Sequence, residues 1–517
     1  MLLVAAFAGT IALSYEILWV RAYSFVTGGT ASSFGVLLGA YLFGLAIGSL
    51  LSWFYCNDRR ALAGRERLAT PAGLLVAASA LGFLSVPALA ALAVRGGSLV
   101  AWLGLVSVFA GVIGAVLPLV SHFGVTADGQ AGAWLSYLYV ANILGSAAGS
   151  LLTGFVLLDV LPMRRVATVL ALAGLAVAAL LLLAAGGSAS ALALRLGLLG
   201  LAGALALLAD EPLFHHAFEK MQRKANYDPS ESFTDLVENR SGVISVLKDG
   251  TIFGGGVYDG AYSVDLVHDK NLIVRPYALA AFHPHPRRVL LIGLSSGSWA
   301  QVLAHNPDVE RLTVIDINPG YLGLIPRHAA VASLLANPKL EVVIDDGRRW
   351  LAAHPERQFD AVFSNTTWHW RSMATSLLSA EFLRLVGRHL ADGGVFIWNT
   401  TFSLEAQKTG CEVFPYGFRF LNSMVASNQP ISLDRARWRE ALLAYRIDGK
   451  AVFDLTNPAH VDRLEEVLRI GPTPGRPDDR NKDFQPCPNL LRWTRELRSI
   501  TDDNMASEWY RPWWATP

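Results

Sequence analysis

Three carboxylates and one turn carry the chemistry for which this sequence can be read. The turn is Gly293-Leu-Ser-Ser-Gly297, which follows the apolar run Val289–Ile292 and leads into SWAQVLA. Small residues let its backbone come close to a ligand, and the start of the next helix offers unpaired N–H groups. Asp316 ends a second apolar run, RLTVIDIN, 19 residues beyond Gly297. That is the distance at which an acidic side chain meets a ribose in a doubly wound fold. Asp345 and Asp346 end a third run, LEVVIDDG, just before Gly347. A Gly-rich turn alone is a weak signal. Acids after two successive strands strengthen it, because they meet the turn at the sheet's carboxyl edge, where ligands bind. A fourth run, FDAVFSN, ends at Asn365, and the loop after it reads TTWHWRS, with His369 and Arg371. A neutral His can act as a base, and an Arg can clamp a carboxylate with two parallel hydrogen bonds. Trp368, His369 and Trp370 read as well as a lid packed on the ligand.

The elements that position these residues form a Rossmann-like domain over residues 287–430. Before it, TDLVENRSG, VISVLKDG and TIFGGGVYDG show the alternation of strands broken by turns. Asp249-Gly250 between apolar runs predicts a hairpin. With a helix expected over Val264–Phe282 and the rigid His283-Pro-His-Pro lead, this makes a small β subdomain with a leading helix at 230–286. His283 and His285 read as solvated loop residues. Residues 431–517 form a helical C-terminal extension, with helices at Arg435–Arg446 and Val461–Arg469 and a Pro-rich interruption at Gly471–Pro477.

Composition divides the chain. Of 517 residues, 52% are hydrophobic and 16% charged, and the mean hydropathy is +0.36; a soluble chain carries about 25% charge. The excess apolar content lies in residues 1–209. Runs of spanning length, about 20 residues, occur at Leu2–Val20, Ala31–Tyr55, Pro71–Val94, Ser98–Val120, Trp134–Leu158, Val166–Ala185 and Ser190–Ala209, which predicts seven transmembrane helices. Glu16 and Arg21 close the first run without a small-residue cleavage site, so it is read as a span and not a signal peptide. With the N-terminus outside, the inner side collects Arg21, Arg95, Arg164, Arg165, Lys220, Arg223 and Lys224. The opposite orientation collects Arg59, Arg60, Arg65 and Arg67. The larger count places the chain in a bacterial-type inner or plasma membrane with its globular half in the cytoplasm. GxxxG at Gly35–Gly39, GLAIG at Gly44–Gly48 and GSAAGSLLTG at Gly145–Gly154 predict close helix packing. Glu16, costly in an apolar run, is expected to pair with Arg21 at the membrane interface, with Asn142 as a polar neighbour and a transport site as the alternative. Residues 210–229 read as a short interfacial connector, in which His215 and His216 point to different helix faces and share no metal. The net charge of +1 makes no case for nucleic acid. Cys56, Cys411 and Cys487 contain no CxxC and suggest neither zinc nor a disulfide framework.

The order of β hairpins, HPHPRRVLLIG, TVIDIN, VVIDDG, FDAVFSNTT and LLSAEFLRLVGRHLADGGVFIWN resembles the spermidine synthase (aminopropyltransferase) family. It resembles above all the family's membrane-fused members, through ALSYEILWVR (Ala12–Arg21) and SITDDN (Ser499–Asn504). The resemblance implies a seven-stranded sheet binding S-adenosylmethionine or its decarboxylated form. It also implies that Gly293, Ser295, Ser296 and Gly297 form the ligand turn. Asp316 then holds the ribose, and Asp346 of the Asp-Gly pair accepts from the adenine amino group, with Asp345 an extra carboxylate beside Gly347.

The departures redirect the chemistry. The family's turn GGGDGG here places Ser296 where an Asp salt-links the amine of the decarboxylated ligand. Losing that charge removes a repulsion of about 1–4 kcal/mol against a ligand carboxylate, and Ser295 and Ser296 offer hydroxyl and backbone donors to one. Intact S-adenosylmethionine is therefore expected. Asn365 and Trp368 stand where the family has the two Asp of DSTD, and the acids before the first strand are missing, which argues against a polyamine acceptor. Asn365, His369 and Arg371 are the catalytic candidates. Three activities stay open. One is a transferase moving a methyl or 3-amino-3-carboxypropyl group to an acceptor brought by the bilayer-embedded half. Another is a lyase forming 5′-methylthioadenosine and homoserine lactone, and the third a non-catalytic nucleotide sensor or transporter. The acceptor and any homo-oligomer are left open.

Overall fold

In the computed structural model, residues 1–56, 65–96, 98–126, 128–366, 368–472 and 483–509 are described. Arg59 and Arg60, on which the alternative orientation rests, lie outside them, as do Thr367 and the Pro-rich stretch from 473 onward. The chain divides into two compact units, Met1–Phe233 with Glu238–Val243, and Thr234–Val237 with Ile244 onward.

The first unit holds seven helices long and apolar enough to cross a membrane, among the described residues. They begin with α1 (Leu2–Thr27), α2 (Ala31–Cys56) and α3 (Ala69–Val94). A fourth span is built from α4 (Leu99–Gly114) and α5 (Val116–Gly124), and a fifth starts as α6 (Ala131–Leu152) and continues through a π-helical turn, Thr153–Leu157. Met163–Ala185 and Ala189–Phe214 complete the set. The chain is thus an integral membrane protein. Small residues do pack helices closely. A Cβ on Gly145 would lie 1.9 Å from the Ala6 carbonyl oxygen, and one on Gly48 1.8 Å from that of Gly111. Gly35 and Gly39, by contrast, have open space beside them.

The expected Glu16–Arg21 pair is not formed. Arg21 donates to the Asn239 carbonyl, while Glu238 accepts from the Met163 N–H at 2.8 Å. Five residues put the two side chains about 140° apart around a 3.6-residue helix, so they face different neighbours. The two histidines also differ from expectation. The helix breaks after Phe214, His216 takes a left-handed φ of 55°, and the rings of His215 and His216 stack at 3.9 Å.

The second unit carries the nucleotide-type fold. A small sheet has the order β1 (Asp235–Asn239), β2 (Gly242–Val246), β3 (Thr251–Gly254) and β4 (Val257–Ala261), with Gly250 in the predicted turn at φ +82°. The main sheet contains β5 (Arg288–Ile292), β6 (Arg311–Asp316), β7 (Leu340–Ile344), β8 (Phe359–Ser364), β9 (Leu390–Asn399), β10 (Tyr416–Phe420) and β11 (Ser423–Ser427). Its order is β10-β11-β9-β8-β5-β6-β7, with Phe484–Pro486 added beyond β10 as an eighth strand. The seven-strand expectation is short by this one, which the C-terminal extension supplies. β5 to β9 pair in parallel, and β11 and β10 return antiparallel. Successive residues of β5 enter opposite layers. Val289 and Leu291 join a core with Trp299, Trp438 and Leu464, while Leu290 and Ile292 join one with Phe382, Trp398 and Leu490. The extension thus fills both layers.

Two expectations fail here. Only Val274–Tyr277 and Leu279–Phe282 of the expected helix form. Asp265 accepts from the Val267 N–H at 2.8 Å, and Asp269 from that of Ile273 at 2.6 Å; such side-chain turns compete with a helix. Cys411 and Cys487 are disulfide-bonded with Cα atoms 5.3 Å apart. A gap of 76 residues hides this pairing in a sequence without CxxC.

Candidate active site

The strand order reverses beside β5, because the chain leaves it toward β6 on one side and returns to β8 on the other. Side chains and loops at the carboxyl ends of β5, β6 and β8 therefore converge. Gly293, at φ +95°, could carry no side chain: a Cβ would lie 2.7 Å from the Asn365 carbonyl oxygen. The same holds for Gly347, where a Cβ would come within 2.6 Å of Ile292.

Asp316 holds the turn. Its carboxylate accepts from the N–H of Leu294 at 2.6 Å, of Ser295 at 3.5 Å and of Asn318 at 2.7 Å. Burial pushes its pKa up to about 6, against these three bonds and with a further rise from the nearby Asp259 carboxylate. The serines are engaged as well. Ser295 donates to the Asp259 carbonyl at 2.7 Å, and Ser296 to the Ser298 hydroxyl at 3.0 Å. At the neighbouring strand end, Asp345 accepts from Arg349, which holds its pKa below the usual carboxylate range. Asp346 caps the helix Gly347–Ala353, accepting from the Arg349 N–H at 2.8 Å. Ile317 and Ile344, which flank these acids, are 62% and 41% exposed. Two exposed apolar side chains beside a row of acceptors suit a flat, hydrogen-bonding ring.

A cavity of about 370 Å³ opens on the other side of the turn, lined among others by Asp259, Asp269, Lys270, Arg275, Asn365 and Trp368. Asp259, on β4, is the main residue that sequence reading missed. The Tyr321 hydroxyl donates to it at 2.7 Å. Burial raises its pKa, and the Tyr321 and Ser295 bonds and the Arg371 charge oppose that rise. The flanking Gly-rich VYDG reads as a turn, and only folding brings this acid against the Ser295–Asp316 edge. Arg275 is buried, donating to the carbonyls of Leu272 and Asn271 and to Asn422. Backbone strain gathers here. Leu272, Thr401 and Phe402 of the lining and Ser295 beside it all have positive φ, between 46° and 66°. For residues with a Cβ this conformation is uncommon and concentrates at functional sites.

The loop after β8 is held from two directions. Arg371 donates to the Gly254 carbonyl at 3.1 Å and faces Asp259 and Tyr321. His369 does not line the cavity. Its backbone N–H donates to Thr401 at 3.0 Å, its Nδ1 has no partner, and burial lowers its pKa against the pull of Glu405. Trp368 and Trp370 stack at 6.3 Å. Behind the loop, Glu508 accepts from Met373 and Thr375 at 2.6–3.0 Å, and Asp502 of SITDDN pairs with Arg348. Asn365, Asp316 and the turn thus share one edge with Asp259. His369 stands apart from it.

A family model described as the spermine/spermidine synthase domain matches residues 278–414. Polyamine aminopropyltransferase 2 of Streptomyces coelicolor is 30% identical over 414 residues, covering 74% of this chain and 70% of its own. The polyamine aminopropyltransferase of Mycobacterium tuberculosis is 29% identical over 406 residues, 74% of each chain. The crystal structure of spermidine synthase from Thermotoga maritima aligns with 46% of this chain and 86% of its own, at 17% identity and a TM-score of 0.30.

Proposed function

The chain belongs to the polyamine aminopropyltransferase family, and from that premise we propose that it binds intact S-adenosylmethionine and transfers a group from its sulfonium. The observation that carries this is the charge balance of the cavity. Asp259 and Asp269 line it together with Lys270 and Arg275, so its wall carries both signs of charge. That suits the ammonium and carboxylate of a methionine zwitterion better than a ligand with an ammonium alone. The adenosine part falls to Asp316, whose free lone pairs can accept from the ribose, and to the edge carrying Asp345, Asp346, Gly347 and Ile317. Gly293, Ser295, Ser296 and Gly297 bring the backbone close. Asn365 positions, and Arg371 steadies Asp259. Calorimetric titration tests the reading: S-adenosylmethionine should bind at least tenfold tighter than its decarboxylated form, and the reverse order rejects it.

One observation favours the lyase as a second reading. Neither Asn365 nor Trp368 can take a proton from an incoming acceptor. In the lyase the methionine carboxylate attacks its own γ-carbon, the C–S bond breaks, and its electron pair leaves with sulfur. The products are homoserine lactone and 5′-methylthioadenosine, and no external base is needed. Incubation with S-adenosylmethionine alone separates the readings, since only the lyase releases methylthioadenosine without acceptor.

The globular unit is read as cytoplasmic from the Arg and Lys count and the supply of this substrate. The Cys411–Cys487 bond weighs against it, because cytosolic thiols are kept reduced. Lysis into denaturant with a maleimide decides: both thiols label if the unit is cytoplasmic, and neither does if it lies outside.

A further inference from the structure

Within the seven-helix unit, the structure points to a second site, for which we propose a protonated alkyl amine as ligand, bound at Glu16. The site does not rest on the transferase reading. Glu16 lies near the middle of α1, is 7% exposed, and has no hydrogen bond or ion pair among the described residues. A carboxylate kept at that depth without a partner is costly and marks a site for a cation.

Two further observations define it. A cavity of about 330 Å³ runs between α1, α2, α4–α5 and α6, and its α1 wall is Ala8, Gly9, Ala12 and Leu13. Glu16 continues that face at the next turn, being three and four residues beyond Leu13 and Ala12. Tyr41, in the α2 wall, is 2% exposed, packs on Trp19 three residues beyond Glu16, and has a hydroxyl without a partner among the described residues.

The surroundings choose the cation. Trp19 sits against Tyr41 at 6.2 Å and against Phe109 at 4.7 Å between ring centroids, and Tyr15 against Phe109 at 5.1 Å. A carboxylate beside aromatic faces favours an organic ammonium over a hydrated metal ion, which would need several oxygen ligands. Leu45, Ile113 and Leu117 of the cavity suit an alkyl stem.

The test is calorimetry on the full chain in lipid nanodiscs, titrated with hexylamine and separately with hexanol, without S-adenosylmethionine. Hexylamine should bind, hexanol should not, and Glu16→Gln should weaken hexylamine at least tenfold. Tyr41→Phe, which keeps the ring packing, should weaken it about threefold and serves if the Glu16 variant does not fold. Equal binding of hexanol, which would make the cavity a groove for lipid tails, overturns the proposal. So does unchanged binding in both variants, or no binding to the wild-type chain.

Discussion

The two sides of the turn after β5 are built differently. On the side proposed for adenosine, Asp316 ends β6 and Asp345 and Asp346 follow β7, and they take bonds from groups within a few residues or from the adjacent turn. On the reacting side, Asp259 comes from a separate sheet, Tyr321 from beyond β6 and Arg371 from beyond β8, while Glu508 reaches back across 133 residues to Thr375. The first side is local and is kept by short motifs. The second depends on long-range assembly.

The sharpest way to break this contrast is at Asp316. Asp316→Ala removes the acceptor proposed for the ribose hydroxyls, so S-adenosylmethionine binding should weaken roughly 100-fold by calorimetry. The thermal midpoint should also fall, because the N–H groups of Leu294 and Asn318 lose their acceptor. Asp259→Asn keeps the shape and the acceptor for Tyr321 but removes a charge. It should weaken intact S-adenosylmethionine about tenfold and the decarboxylated form at least as much. Equal affinities in wild type and variant would detach Asp259 from the ligand.

The raised pKa of Asp316 also gives a pH test. Its proton must leave before both oxygens can accept from hydroxyls, so affinity should rise about tenfold between pH 5 and 7 as the carboxyl ionises near 6. The stability of the ligand-free protein should move the other way. A carboxyl with a raised folded pKa stabilises below its unfolded value and loses that contribution as pH passes through 6. Asp316→Asn should flatten both curves. The smallest effect is expected at Glu508, which positions the loop and touches no ligand. Glu508→Gln should lower turnover about threefold with binding unchanged, and an equal loss in binding would place the residue differently.

The same contrast explains what could be read in advance. The spans followed from apolar length, and the parallel strands from apolar runs that end in small or acidic residues. The adenosine side was legible because its residues sit at fixed offsets from those strands. Asp259 was not, since an acid between Tyr258 and Gly260 looks like any hairpin residue until β4 is laid against Ser295. Pairing Glu16 with Arg21 followed from nearness in sequence, but Arg21 met a carbonyl from residue 239 instead. The disulfide and the eighth strand escaped for one reason: each joins the C-terminal extension to an element more than 60 residues earlier.

That eighth strand also decides how the sheet stops growing. Phe484–Pro486 covers the outer side of β10, with Phe418 opposite Pro486. A proline has no amide hydrogen to offer a further strand. Without this cap, β10 would present a row of unsatisfied peptide groups, the template on which chains add to one another edge to edge. Phe484–Pro486 therefore covers the β10 edge, and a chain cut before Asp483 should self-associate more readily even if every proposed ligand-binding residue is intact.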